Sequence, residues 1–248
     1  MTPLDKAYAL AQKDQSNADG YYDLFLNSTI YIPVWDAPER TGERRADNNE
    51  TINPVIVEND NRHYLMIFDT EERLSAWAQR EIGFISVPGH AVVEMMDPKI
   101  HWMLNVGTDY LKEFVADEIQ WLKDVLRQSV AQEQTIAAGT EFLIGEPAKV
   151  PPGFIDTLKV ALPRNGEVSE AFLGQIMIVG RNEKPHLALV IRMGPVPQTA
   201  RDAIFNDLAI ASRQFIQAPD VIDIFIDDGE GVALEITKAV TPFYRREE

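Results

Sequence analysis

The chain has 248 residues, 45% of them hydrophobic and 9% aromatic, enough apolar side chains for two modest cores and too many for an extended disordered chain. It contains no cysteine, which excludes disulfides, thiolate metal sites, cysteine nucleophiles and sulfur transfer through a cysteine persulfide. Its 39 acidic and 23 basic side chains leave a net charge of −16, which disfavours direct binding to nucleic acid or anionic lipid, because both depend on Lys and Arg replacing counterions.

Thr2-Pro3 sets a capping side chain before a proline at the first helical position, and Leu4, Ala7, Tyr8 and Ala11 follow as an apolar stripe, so a helix is expected at the start. No basic segment followed by an apolar run opens the chain and no stretch approaches membrane-span length; a cytoplasmic protein without membrane contact is expected. Tyr21 to Leu26 reads as a second helix and Thr29 to Val34 as a strand, with an exposed loop from Trp35 to Thr51. Ile52 to Val57 and His63 to Phe68 flank Glu58-Asn59-Asp60-Asn61 as a hairpin.

The run from Tyr64 to Met96 reads as strand, helix, strand, helix. Asp69 and Glu72 have the spacing of a capping box, Leu74, Trp77 and Ala78 supply a buried face, Arg73 looks at water, and Gly83 ends the helix. If Tyr64–Phe68 and Phe84–Val87 are parallel neighbours, the connection is a right-handed crossover. His101 to Val106 is a further strand. A helix from about Ala116 carries Ile119, Leu122, Leu126 and Val130 at helical spacing. Gln132 to Gly139 is an exposed polar seam, Glu141 to Ile144 is β-like, and Gly145 to Gly153 holds three prolines and two glycines in nine residues. The domain boundary is set there, giving domains 1–145 and 146–248.

In the second half, Phe154, Ile155, Leu158 and Leu162 define a short helix. Ala171–Val179 and Leu187–Met193 are strands joined by a turn around Arg181 to Pro185. Thr199 and Asp202 form a capping box for a helix bearing Ile204, Leu208, Ala211 and Phe215. Val221 to Asp227 alternates, with Ile222, Ile224 and Ile226 facing one way and Asp223, Phe225 and Asp227 the other. The expected class is α+β, two small mixed domains in which a sheet carries helices, packed on one face in the second domain.

The motifs of chemistry are absent. His90 and Glu94 form one pair at helical spacing without a third ligand, no serine sits in a nucleophile elbow, and Gly229-Glu230-Gly231 lacks the spacing and lysine of a phosphate loop. No cofactor, metal site or catalytic residue is assigned, and a non-enzymatic protein is expected. The strongest local feature is the acidic strand end Asp223, Asp227, Asp228 and Glu230. It reads as a solvated turn, as a contact for a cationic protein, or as a weak cation site, since like charges this close repel unless a cation joins them.

Met66-Ile67-Phe68-Asp69-Thr70-Glu71-Glu72-Arg73-Leu74, Phe84-Ile85-Ser86-Val87-Pro88, Leu104-Asn105, Lys112-Glu113-Phe114 and Glu118-Ile119 resemble the N-terminal domain of the enhanced-serine-sensitivity, or SseB, family. Gly145-Glu146-Pro147, Pro151 and Thr241-Pro242-Phe243-Tyr244-Arg245-Arg246 look like the C-terminal domain attached to it. Where many members have Asn-Pro before a glycine, this chain has Asn105-Val106-Gly107. The resemblance implies a bacterial two-domain protein with no catalytic residues to carry over.

Two functions from different classes are expected on these grounds. The first is an interaction protein whose acidic Asp223, Asp227, Asp228 and Glu230 dock a basic partner, most concretely an immunity or inhibitor protein against a nuclease-like toxin. The alternative is an amino-acid-related small-molecule binder or enzyme with a site between the domains. A homodimer through the Thr199–Phe215 helix or a sheet edge is compatible with either.

Overall fold

The computed structural model describes residues 1–35, 53–128, 140–180, 184–216 and 220–246, and the chain divides into two units, Met1–Gln128 and Ser129–Glu248. The loop assigned to 35–51 lies outside the described residues except for Trp35, as do Ile52, Val130, the seam Gln132–Gly139 and Arg181 to Glu183. Among the described residues no helix is long and apolar enough to cross a membrane.

The first unit runs α1 (Pro3–Lys13), α2 (Ala18–Asn27), β1 (Thr29–Val34), β2 (Ile56–Asn59), β3 (Arg62–Ile67), α3 (Glu71–Ala78), β4 (Gly83–Pro88), α4 (Gly89–Met95), β5 (His101–Leu104), β6 (Lys112–Phe114) and α5 (Ala116–Gln128). The capping box at its start forms: Thr2 Oγ1 accepts from the Asp5 amide and Asp5 accepts from the Thr2 amide. The hairpin also forms, with β2 and β3 antiparallel from Ile56↔Leu65 to Asn59↔Arg62. Asp60 and Asn61 turn the chain with φ of 48° and 63°, the left-handed geometry that suits the twist of paired strands and that Asn and Asp tolerate best.

The crossover does not form as expected. β3 pairs with β2 on one side and, in parallel, with β5 on the other, so neither of its edges is open to β4. That strand instead lies antiparallel to β1, from Thr29↔Pro88 to Val34↔Gly83, in a separate two-stranded ribbon. The four-stranded sheet has the order β2-β3-β5-β6. Period-two alternation divides its apolar side chains between its faces. Leu65, Ile67, Trp102 and Leu104 are buried on one, where Phe25, Trp102 and Phe114 pack ring to ring at 4.7 to 6.4 Å. Met66, Phe68 and Leu74 cluster with Tyr31, Trp77 and Phe84 on the other.

Helix α3 starts beside Thr70 as expected, but its cap and its end are different residues from those expected. Thr70, not Asp69, is the cap, its Oγ1 accepting from the Arg73 amide at 3.3 Å. The helix ends at Ala78 with Gln79 left-handed at φ 52°, ahead of Gly83. Asp69 is drawn off into an ion-pair network: Arg73 Nη1 reaches Asp69 Oδ1 at 2.7 Å and Asp5 Oδ1 at 2.8 Å, and Thr2 Oγ1 donates to Asp69 Oδ2 at 2.6 Å. Arg73, expected to look at water, therefore ties α1 to the start of α3.

The second unit runs β7 (Phe142–Gly145), α6 (Phe154–Ala161), β8 (Val168–Ile178), β9 (His186–Met193), α7 (Gln198–Ser212), β10 (Ile222–Ile226), α8 (Gly231–Ala239) and β11 (Pro242–Arg245). Its sheet has the order β10-β9-β8-β11, with β7 also paired to β8. Since β7 belongs to this sheet, the division falls before it rather than at Gly145. Strand β8 is long enough to hold β11 along Glu170–Phe172 and β7 along Gln175–Ile178.

Helices cover both faces of this sheet, not one. Phe154, Leu158, Leu162, Ile204 and Leu208 of the α6–α7 side pack on Ala171, Leu173, Leu189 and Ile191, with Ile222, Ile224 and Ile226 at the margin. Helix α8, unassigned from sequence, places Ala233 and Ile236 against Phe172, Ile176, Ala188 and Val190, with Phe225 beside them. Helix α7 begins one residue earlier than its supposed cap: Pro197 precedes it without a side-chain cap, and Gln198 Nε2 donates to Asp202 Oδ1 at 2.8 Å. Both units are α+β.

Candidate functional site

The acidic residues singled out in sequence end up on or just beyond β10, which among the described strands is an edge strand paired only with β9, in parallel, from Ile222↔Leu187 to Ile226↔Ile191. The alternation is as expected, with the three isoleucines toward the α6–α7 core and Phe225 toward α8. Asp223 and Asp227 share the Phe225 face, and their chemistry is decided by what β9 presents there.

Asp227 is engaged within the chain. Its Oδ2 accepts from Arg192 Nε at 2.9 Å and Nη2 at 2.6 Å, its Oδ1 accepts from the Gly229 amide at 3.1 Å, and its side chain is 4% exposed. Arg192 also bonds Glu170, which in turn forms an ion pair with Arg245, Oε1 to Nε at 3.1 Å. The guanidinium lies over the Phe172 ring at 5.2 Å. The Asp227 hydrogen bond, with Glu170 adding to it, holds Arg192 above its ordinary pKa, so the guanidinium meets both carboxylates as a cation. Asp223 is in between: Oδ2 lies 2.9 Å from His186 Nε2, while its side chain remains 42% exposed.

Asp228 and Glu230 are exposed. They sit in a turn that hydrogen bonds hold in shape, with Glu230 N–H donating to Asp228 Oδ1 at 3.1 Å. Gly229 at φ 85° and Gly231 at φ 62° give the chain its left-handed steps into α8. Asp220, exposed just before β10, adds a carboxylate at the strand's other end. The acidic group is thus split into Asp227, locked to Arg192; Asp223, shared with His186; and Asp228 and Glu230, which face solvent.

Sequence reasoning missed Arg192, His186, Glu170 and Arg245. The signal for the first two was present in β9, where His186 and Arg192 fall on the same face at even spacing, but only the β9–β10 register brings them beside Asp223 and Asp227. A shallow open depression of about 450 Å³ lies next to this network, lined in part by Glu146, Glu170, Arg192, Lys238 and Arg245. Its charges are of both signs and several are mutually paired, so it presents no single-sign field to a ligand.

Comparison with known proteins covers both units. A family described as SseB protein N-terminal domain matches residues 4–121, and one described as SseB protein C-terminal domain matches residues 136–246. Protein SseB of Escherichia coli (strain K12) is 23% identical over 245 residues, spanning 98% of this chain and 92% of that protein. Protein SseB of Shigella flexneri matches to the same extent, 23% over 245 residues. No solved structure matches.

Proposed function

The chain belongs to the SseB family, and from that premise we propose that it is a non-enzymatic protein-binding protein whose acidic face docks a basic partner protein. The observation that carries this reading is the held turn after β10, where Asp228 and Glu230 are exposed on a chain of net charge −16. The Asp228 carboxylate, held by the Glu230 amide, loses little conformational freedom on binding, and a negative surface steers a cationic partner into register. In its most concrete form the partner is a nuclease-like toxin, whose basic cleft the acidic face occupies in place of nucleic acid.

The test is purification of the tagged chain from its host near physiological salt, alongside the doubly neutralised variant Asp228→Asn/Glu230→Gln. A stoichiometric basic protein is expected, retained by the parent chain, released by added salt and lost from the variant. For the toxin form, that protein alone cleaves nucleic acid and one equivalent of the chain stops it. Equal retention by the variant removes the acidic face from the account, and the absence of any basic partner removes the reading altogether.

A further inference from the structure

The side chains of β10 have partners, but among the described residues its main chain has none on one side. The Asp227 N–H donates to Ile191 O at 2.9 Å. Main-chain groups alternate sides along a strand, so Phe225 and Asp223 also turn theirs to β9. The N–H and C=O groups of Ile222, Ile224 and Ile226 then point to the open edge, where no described strand pairs with them. On the sheet's other side β11 and β7 share the edge of β8. There β11 begins with Pro242, and its register on β8 breaks between Pro242 and Tyr244, two devices that blunt an edge. The five residues of β10 carry no proline, and its pairing with β9 runs without a break.

We infer that the open edge of β10 receives an extended cationic segment of a partner protein as an added strand. This rests on the acidic-face reading and gives it a geometry: main-chain hydrogen bonds supply the docking, and alternate side chains supply the choice of partner. Charge decides against a second copy of this chain as occupant. Two β10 edges side by side would set Asp220, Asp223, Asp228 and Glu230 of one against the same residues of the other, and like charges across paired strands destabilise. A cationic strand meets them favourably. Its residues facing the α8 side would read basic opposite Asp223 and apolar opposite Phe225, with a further basic residue reaching Asp228 and Glu230. Its intervening residues, beside Ile222, Ile224 and Ile226, would be β-branched.

The probe is a labelled synthetic peptide of that alternating lysine and apolar pattern, titrated with the intact protein near physiological salt and followed by fluorescence anisotropy. Two further versions carry backbone N-methyl groups on alternate residues, one in each of the complementary frames. Both keep the charge and composition of the parent, so neither depends on a protein variant folding. Binding should fall about tenfold or more in one frame and hold in the other, because one set of N–H groups faces β10 and the other faces away. The Ile224 and Ile226 amides should at the same time gain protection from hydrogen exchange. Equal binding in both frames, or failure of the parent peptide to bind, overturns the added strand. The two readings separate cleanly. A peptide or co-purified partner indifferent to N-methylation frame and edge protection, but lost with Asp228→Asn/Glu230→Gln, leaves the acidic face standing without the edge.

Discussion

Arg73 holds Asp5 in a two-pronged ion pair, Nη2 to Oδ2 at 2.6 Å and Nη1 to Oδ1 at 2.8 Å, between residues 68 positions apart in sequence. Asp5 has no exposed side-chain surface, Asp69 on the other side of the guanidinium is 4% exposed, and Arg73 is 16% exposed. Removing the cation alone would leave two carboxylates buried together. Arg73→Met is therefore expected to cost about 3 kcal/mol or more of stability. Urea unfolding measures it, and a midpoint unchanged from the parent's would show that the pair holds nothing.

The same pair makes stability depend on pH. Burial pushes the Asp5 carboxyl up, but Arg73 and the Thr2 amide outweigh it and leave its pKa below the ordinary value. A carboxyl depressed in the folded state contributes stability above its unfolded pKa, about 3.9, and loses it as pH falls through the lower folded value. Asp5→Asn should lower the urea midpoint near neutrality, and the gap between variant and parent should close as the solution is acidified. A gap that stays constant with pH would remove the ionised pair as the cause.

Three tyrosines crowd one carboxylate. Tyr22 Oη donates to Glu118, which also accepts from Lys112 Nζ at 2.7 Å, and the Tyr8, Tyr21 and Tyr22 rings follow one another at 5.4 and 5.3 Å. Burial first, then Glu118, by its charge at Tyr8 and Tyr21 and by its hydrogen bond and charge at Tyr22, raises the pKa of all three phenols above the usual 10.0. Groups raised in this way favour the folded state below their unfolded pKa, and that contribution is lost as pH climbs through the folded values. Part of the tyrosinate absorbance should thus appear only as the chain unfolds in alkali. Tyr22→Phe should shrink that delayed part and cost about 1 to 2 kcal/mol for the lost charge-assisted hydrogen bond.

Much of the fold was legible where local pattern decides it. Thr29–Val34, the Asp60-Asn61 hairpin and the helix from Ala116 stand where turn chemistry and periodicity put them. Pairing was not legible, because a strand's neighbours are set by packing across the sheet rather than by order in the chain. Phe84–Val87 looked like the partner of Tyr64–Phe68 only because it follows next, while the parallel neighbour proved to be β5. The site divides in the same way. The carboxylates at 223, 227, 228 and 230 could be read as a group, but Arg192 and His186 lie in β9, and only its register separates Asp227 from Asp228 in role.

Two glycines should respond differently to a methyl group. A Cβ on Gly89 would lie 2.0 Å from the Phe25 carbonyl oxygen and 2.8 Å from its carbon, main-chain atoms that α2 holds in place. On Gly174 it would lie 2.8 Å from Ile236 Cγ2, the end of a side chain that can shift. Gly89→Ala is expected to cost about 3 kcal/mol or more and Gly174→Ala about 1 kcal/mol. Thermal or urea unfolding of the two variants side by side decides, and equal losses would mean that α4 can back away from α2.

The split within the acidic group predicts opposite profiles for neighbouring residues. Asp227 takes two hydrogen bonds from Arg192 and one from the Gly229 amide, with 4% of its side chain exposed. Asp227→Asn should therefore cost about 1 to 3 kcal/mol of stability, since it weakens bonds to a charged group and leaves Arg192 under-compensated beside Phe172. Asp228→Asn and Glu230→Gln alter exposed side chains and should change stability by less than about 0.5 kcal/mol. Partner binding should follow the reverse order: the exposed pair loses a basic partner while the chain stays as stable as before, and the Asp227 variant retains whatever partner its folded fraction can reach. Measuring urea midpoints and partner retention on the same three proteins separates the roles. If Asp227→Asn abolished binding without destabilising, the Arg192 pair would have to open to admit the partner. Losses of stability in Asp228→Asn would mean that the turn before α8 needs its carboxylate charge, not only its oxygen, to hold the Glu230 amide.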